Sequence, residues 1–395
     1  MASTWQDWPP EVLAALRRGE VIPAHPLALD ADRKLDPRRQ RALTRYYLDA
    51  GAGGLAVGVH TTQFAIRDVG LYRPVLELAM RSAAEWTKST PKRFPAKACP
   101  GLDPGWPSGS PQKTRQPNKQ ERISDSEGTE SAPIMIAGLS GRTAQAVNEA
   151  HVARDLGYHA GLLSLAALKG AGEDELIAHA QAVAREIPLI GFYLQPAVGG
   201  LVLPTSFWRR FAQIENVAAI KIAPFNRYRT LDVVRGVVEA DAADRITLYT
   251  GNDDHIVLDL VTPLSVRLNG RETVVRIKGG LLGHWSVWVK QAVDLLERVH
   301  ATIAADGVPT DLLALDSQVT DCNAAIFDVA NDFHGVIAGC HEILRRQGLL
   351  AGIWCLDPKE TLGPGQKEEI DRVCAAYPHL NDDAFVHANL ERWLS

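Results

Sequence analysis

The chain has 395 residues, a formal net charge of −5 and a pI near 6.2, a balance that leaves no electrostatic footprint for nucleic acid or an anionic membrane surface. No run of about twenty apolar residues is present to span a bilayer, and the segment Met1-Ala-Ser-Thr-Trp5 has no basic stretch ahead of an apolar core, so a soluble, cytoplasmic protein is expected. Five cysteines (Cys99, Cys322, Cys340, Cys355 and Cys374) are an odd number without metal-site spacing and read as reduced thiols, with no metal site.

Along the chain, strand and helix signals alternate, the pattern of an α/β fold with a parallel sheet. A first strand is predicted near 21–29, followed by a helix in which Asp36 caps and Pro37 occupies the first turn. A second strand at 54–59 and a helix at 69–86 follow, then strand 133–137, helix 144–155, strand 160–165, helix 173–185 and strand 188–193. The next helix is short, at 205–213; the sixth strand ends at Lys221, the seventh spans 246–250 and the eighth lies near 274–282. Residues 88–131, rich in Pro, Ser, Gly, Lys and Gln, interrupt the alternation and are expected to form a disordered insertion. From about 287 onward the pattern is helical, with Ile326, Val329, Phe333, Val336, Ile337 and Ile343 at helical spacing within 321–347. The expected architecture is a (β/α)8 TIM barrel over residues 1–286, interrupted at 88–131, with a C-terminal helical extension over 287–395 packing on it.

The sixth-strand run Val217-Ala-Ala-Ile-Lys221-Ile-Ala223 is too apolar to receive an ammonium without consequence. Burial lowers a lysine's pKa and yields a neutral, nucleophilic amine, the requirement for a Schiff base; the alternative is a strand-end lysine with its head in water. In the preceding strand, Pro188-Leu-Ile-Gly-Phe-Tyr193, the last residue is a tyrosine. A right-handed crossover sets the two strands side by side, so Tyr193 and Lys221 are expected to project into one pocket.

Three spaced motifs resemble the dihydrodipicolinate synthase and N-acetylneuraminate lyase family of class I aldolases: Phe192-Tyr193-Leu-Gln-Pro196, Ile220-Lys221-Ile222 and Gly58-Val-His60-Thr61-Thr62-Gln63. The resemblance covers roughly residues 20–350. It implies a Schiff-base lysine at Lys221, a proton-transferring tyrosine at Tyr193, and a carboxylate-binding loop at Thr61 and Thr62 with His60 beside them. Gly199 and Gly200, after the tyrosine motif, would let backbone approach the ligand. The implied reaction is carbon–carbon bond formation or cleavage on a 2-keto acid such as pyruvate, through an imine and enamine, with no cofactor. The implied assembly is a homo-oligomer, dimer or tetramer.

Departures narrow the substrate. Gln63 and Phe64 stand where the family has Gly-Glu, Val198 stands where the synthases carry an arginine for a second carboxylate, and Leu163 to Leu168 contains no relay tyrosine. Dihydrodipicolinate synthesis itself is therefore not expected, and a catalytically silent barrel that binds a metabolite or serves a structural role is the alternative. Lys278 on the eighth strand is a rival nucleophile, His284 reads as a hydrogen-bonded structural histidine, and Asn252-Asp-Asp-His255 reads as a helix cap in preference to a metal cluster.

Overall fold

The computed structural model describes residues 3–89, 132–305 and 307–395. Eight parallel strands form one sheet: β1 (Val21–Pro23), β2 (Gly54–Val57), β3 (Ile134–Leu139), β4 (Ala160–Leu163), β5 (Leu189–Tyr193), β6 (Val217–Ile222), β7 (Thr247–Thr250) and, after a hairpin, β10 (Ile277–Leu282). Pairing runs from β2 through β7 in chain order, then to β10 and β1. The seam between β1 and β2 is drawn together by the Ala24–Ala56 bridge and by His25 N donating to Ala56 O at 2.8 Å. The result is a (β/α)8 barrel with helices outside, as the alternation predicts.

Helices α2 (Pro37–Ala50), α3 (Tyr72–Ser89), α4 (Thr143–Asp155), α5 (Glu173–Ala184), α6 (Thr205–Ala212), α7 (Arg227–Glu239) and α8 (Ile256–Val261) follow strands β1 to β7 in turn. The Asp36 carboxylate caps α2 by accepting from Arg38 N and Arg39 N, with Pro37 in the first turn. Lys88 and Ser89 close α3, and the rest of the proposed insertion lies outside the described residues.

Two elements depart from the sequence pattern. Helix α1 (Pro10–Arg18) enters the floor of the barrel: Trp8, Val12, Ala15 and Leu16 join Ile22, Ile134, Ile136 and Leu281 in the interior cluster, and Tyr249 Oη donates to Leu16 O at 2.9 Å. The expected eighth strand is shorter, because Leu264–Leu268 (β8) and Arg271–Val275 (β9) form an antiparallel hairpin around Asn269 and Gly270, both at positive φ.

The helical extension consists of α9 (Val289–Ala304), α10 (Thr310–Ile326), α11 (Val336–Arg346), α12 (Gln366–Ala376) and α13 (Asp383–Leu394). The apolar spacing across 321–347 suggests one helix, but the chain breaks between α10 and α11, where Asp328, Asp332 and Phe333 take φ of 56°, 53° and 66°. A right-handed helix does not admit that conformation. Asp328 holds the turn, its Oδ2 accepting from Gly335 N at 3.1 Å, and Gln366 Nε2 ties the two helix ends together by donating to Ile326 O and Gly335 O. Helix α13 returns to α2: Tyr46 Oη donates to Asp382 Oδ2 at 2.7 Å, Arg45 to Trp393 O at 2.9 Å, and the Tyr46 and Trp393 rings lie 5.4 Å apart.

Candidate active site

Side chains alternate across a strand, so β6 sends Ala219, Lys221 and Ala223 into the barrel while Ile220 and Ile222 face the helices; a register shift at Ala218 leaves Val217 on the helix side as well. Lys221 is 7% exposed, and burial lowers its pKa to about 8, opposed by the charge of Asp253. Its Nζ lies 4.4 Å from the centroid of the Phe192 ring. The lysine stem runs past Gly251, where an added Cβ would meet Lys221 Cε at 2.6 Å. Gly251 is therefore required by the close passage of the lysine.

Asp253 lines the same cavity, its Oδ1 accepting from His284 N at 2.8 Å. Burial raises its pKa to about 7 against the lowering effects of the His284 amide and the Lys221 ammonium. Burial thus disfavours the charged form of both groups, and they titrate as a coupled pair. The sequence reading of Asn252 to His255 as a cap missed this residue. Asn252 fits that reading better: its Oδ1 accepts from Phe225 N and its Nδ2 donates to Asp259 Oδ2.

His60 and Thr61 complete one wall of the cavity. Burial and the nearby Lys221 charge push the His60 pKa down to about 4, so its ring is neutral at physiological pH. Thr61 Oγ1 donates to Ala24 O at 2.7 Å, and Thr62 Oγ1 donates to His25 O at 2.6 Å while accepting from Gly58 N. The two threonines fasten the loop to the end of β1; Thr61 faces the cavity and Thr62 lies behind it. Gln63, in the place where the resemblance calls for glycine, has φ of 66° and uses its Oε1 to accept from Leu356 N in the extension.

Tyr193 is not with this group. Phe192 is the register partner of Lys221, and the interior face of β5 is Ile190, Phe192 and Leu194. Tyr193 lies on the opposite face, 5.1 Å from Trp208 of α6, with its hydroxyl donating to Leu203 O and accepting from Leu203 N. The expectation of one pocket is corrected here: the motif places Tyr193 at the end of the right strand, but the two-residue period turns it outward. Gly191 on the same face signals this, since a Cβ there would meet the Phe211 ring at 2.7 Å.

Gly199 (φ 97°) and Gly200 serve the backbone of the loop after β5, and neither lines the cavity. A Cβ on Gly200 would meet Leu194 O at 1.9 Å. Lys278 is exposed on β10 and its carbonyl accepts from His300 Nε2, away from the cavity. His284 is buried, its ring 3.4 Å from Asn323 Nδ2 and edge-on to Trp288. The sequence reading also missed the roof, formed by Phe327, Phe333 and Val336 of the α10–α11 turn.

The parallel eight-stranded barrel agrees with the comparisons to known proteins. Residues 122–263 match the family model described as the dihydrodipicolinate synthetase family. Among solved structures, CdNal from Clostridium difficile in complex with mannosamine aligns with TM-score 0.65 at 14% identity, over 91% of this chain and 99% of that one. The fold is the barrel of these solved structures. Dihydrodipicolinate synthase from Acinetobacter baumannii complexed with pyruvate aligns with TM-score 0.64 at 18% identity, covering 90% of this chain and 98% of its own. N-acetylneuraminate lyase from Fusobacterium nucleatum gives TM-score 0.64 at 15% identity, over 92% and 99%. No curated protein sequence matches the chain. In sequence the chain is distant from these structures, and its site differs from the expected pattern at the tyrosine.

Proposed function

We propose that the protein is a class I lyase in which Lys221 forms an imine with a 2-keto acid such as pyruvate, making or breaking a carbon–carbon bond. The observation that carries the reading is a buried lysine at the barrel mouth with its pKa lowered to about 8. The neutral amine attacks the carbonyl carbon to give a carbinolamine, whose hydroxyl leaves as water once protonated. The resulting iminium draws electrons from the adjacent bond, so loss of a proton or cleavage of the next carbon–carbon bond yields an enamine. Asp253, with its pKa raised to about 7, is the group available to donate the proton to the departing hydroxyl and to return it during enamine turnover. On this reading Asp253 takes the part that the resemblance gave to Tyr193. Thr61, His60 and the loop backbone hold the carboxylate.

The four described cysteines are free thiols, and no described helix is long and apolar enough to cross a membrane. We assign the protein to the cytoplasm as a homo-oligomer, the latter from the superfamily relation alone. The outward Tyr193 favours a second reading, a barrel that binds a metabolite without turning it over. Borohydride reduction in the presence of pyruvate, followed by peptide mass spectrometry, tests the choice. A reduced adduct on Lys221 is expected, and no adduct from any of a range of 2-keto acids leaves the silent barrel.

A further inference from the structure

The inner end of the cavity carries the charged groups, and the outer end is apolar except for Gln195. Leu194 and Val198 come from the loop after β5, Phe225 from the loop after β6, and Phe327, Phe333 and Val336 from the turn joining α10 to α11. Among the described lining residues the only formal charges are Lys221 and Asp253. Once Lys221 is joined to the substrate and Asp253 is the proton carrier, no cation remains to face a second carboxylate. A buried anion without a partner is strongly disfavoured, and Gln195 is the one polar side chain among the phenyl and alkyl groups there.

Size points the same way. The cavity volume is about 50 Å³; a water occupies roughly 10–15 Å³ on this measure, so the space corresponds to about four waters. The outer limit is the pair Phe225 and Phe333, whose rings meet edge to face at 5.9 Å. Both take positive φ, 51° and 66°, a conformation unfavourable for bulky residues that persists where surrounding contacts enforce it. Here the Asp328 and Gln366 bonds hold the turn that carries Phe333.

We infer that the substrate is a 2-oxo monoacid with a short apolar tail, and that the Phe225–Phe333 pair sets the limit on tail length. The inference rests on the reading of Lys221 as the imine-forming amine. Borohydride trapping of the full chain with pyruvate, 2-oxobutanoate, 2-oxoglutarate and phenylpyruvate, with the Lys221 peptide quantified across concentration, separates the two. The expected half-saturation for 2-oxobutanoate lies about tenfold or more below that for 2-oxoglutarate. Phe333→Ala raises the phenylpyruvate-to-pyruvate trapping ratio by on the order of tenfold, and Phe333→Leu, which keeps an apolar side chain in the turn, shifts it the same way by less. If 2-oxoglutarate matches 2-oxobutanoate, or the ratio stays fixed in both variants, the tail assignment is overturned while the imine stands. Absence of adduct with all four acids overturns the Lys221 reading and the tail assignment with it.

Discussion

Replacing Lys221 should make the protein more stable. Lys221→Met keeps the length of the side chain and removes an ammonium that the folded barrel disfavours. The lysine pKa falls from 10.5 to about 8 on folding, and each pKa unit corresponds to about 1.4 kcal/mol, so the buried charge costs about 3 kcal/mol at neutral pH. With unfolding entropy near 2.1 cal/mol/K per residue, that gain corresponds to a rise in Tm of roughly 4 °C for this length of chain. Below pH 8 the lysine is charged in both folded and unfolded states, and the full difference between variant and native chain is present. Between about 8 and 10.5 the folded lysine is neutral while the unfolded one is charged, so the native chain gains stability as pH rises. Above that window the two proteins converge. Urea unfolding of both at pH 7 and pH 10 checks the prediction. A variant less stable than the native chain at pH 7, or a gap that does not change with pH, would refute a buried ammonium at this position.

Asp253→Asn removes the carboxyl proton and the negative charge that supports the ammonium. The native trapping rate with pyruvate should be bell-shaped, highest between about pH 7 and 8; the variant should lose the falling alkaline limb and move the rising limb to lower pH. Tyr193→Phe should leave trapping within about twofold while lowering stability by about 1–3 kcal/mol, because it strands the Leu203 amide in the helix layer; a loss of trapping on the order of 10²-fold would restore the tyrosine to the site. Gly251→Ala forces Lys221 aside and should slow trapping by on the order of 10²-fold with the fold retained, as circular dichroism would show. Asp382→Ala leaves Tyr46 Oη and Lys290 N without their acceptor and Gln347 Nε2 with Asp383 alone, and a stability loss of about 3 kcal/mol in chemical denaturation is expected.

The barrel was legible because its information is local. Apolar runs such as Val217 to Ile222 mark interior strands, and Asp36 with Pro37 marks a helix start, using only neighbours in sequence. Lys221 stood out for the same reason. What failed to show depends on distant contacts. The face taken by Tyr193 is decided by its register against β6 and by the packing of Gly191 under Phe211. Asp253 is held in the cavity wall by the His284 amide, which the chain delivers after β10 from 31 residues away. The break at Asp328 to Gly335 is hidden because Ile326, Val329, Phe333 and Val336 keep helical spacing across it, while the bonds that open it come from Gln366 on α12.

The roof of the cavity comes late in the chain and is anchored to an early helix. Phe333 reaches the barrel mouth only when α10 and α11 are docked, and Gln63 grips Leu356 only when the segment after α11 is in place. During synthesis from the ribosome, the strands that carry Lys221 and Asp253 emerge well before the residues that cover them. A nascent barrel therefore holds Lys221 open to water until the wrap of α9 to α13 settles against α2. Enclosure of the site is in this sense a final act of assembly, one that a bound small molecule would reinforce by favouring the closed form.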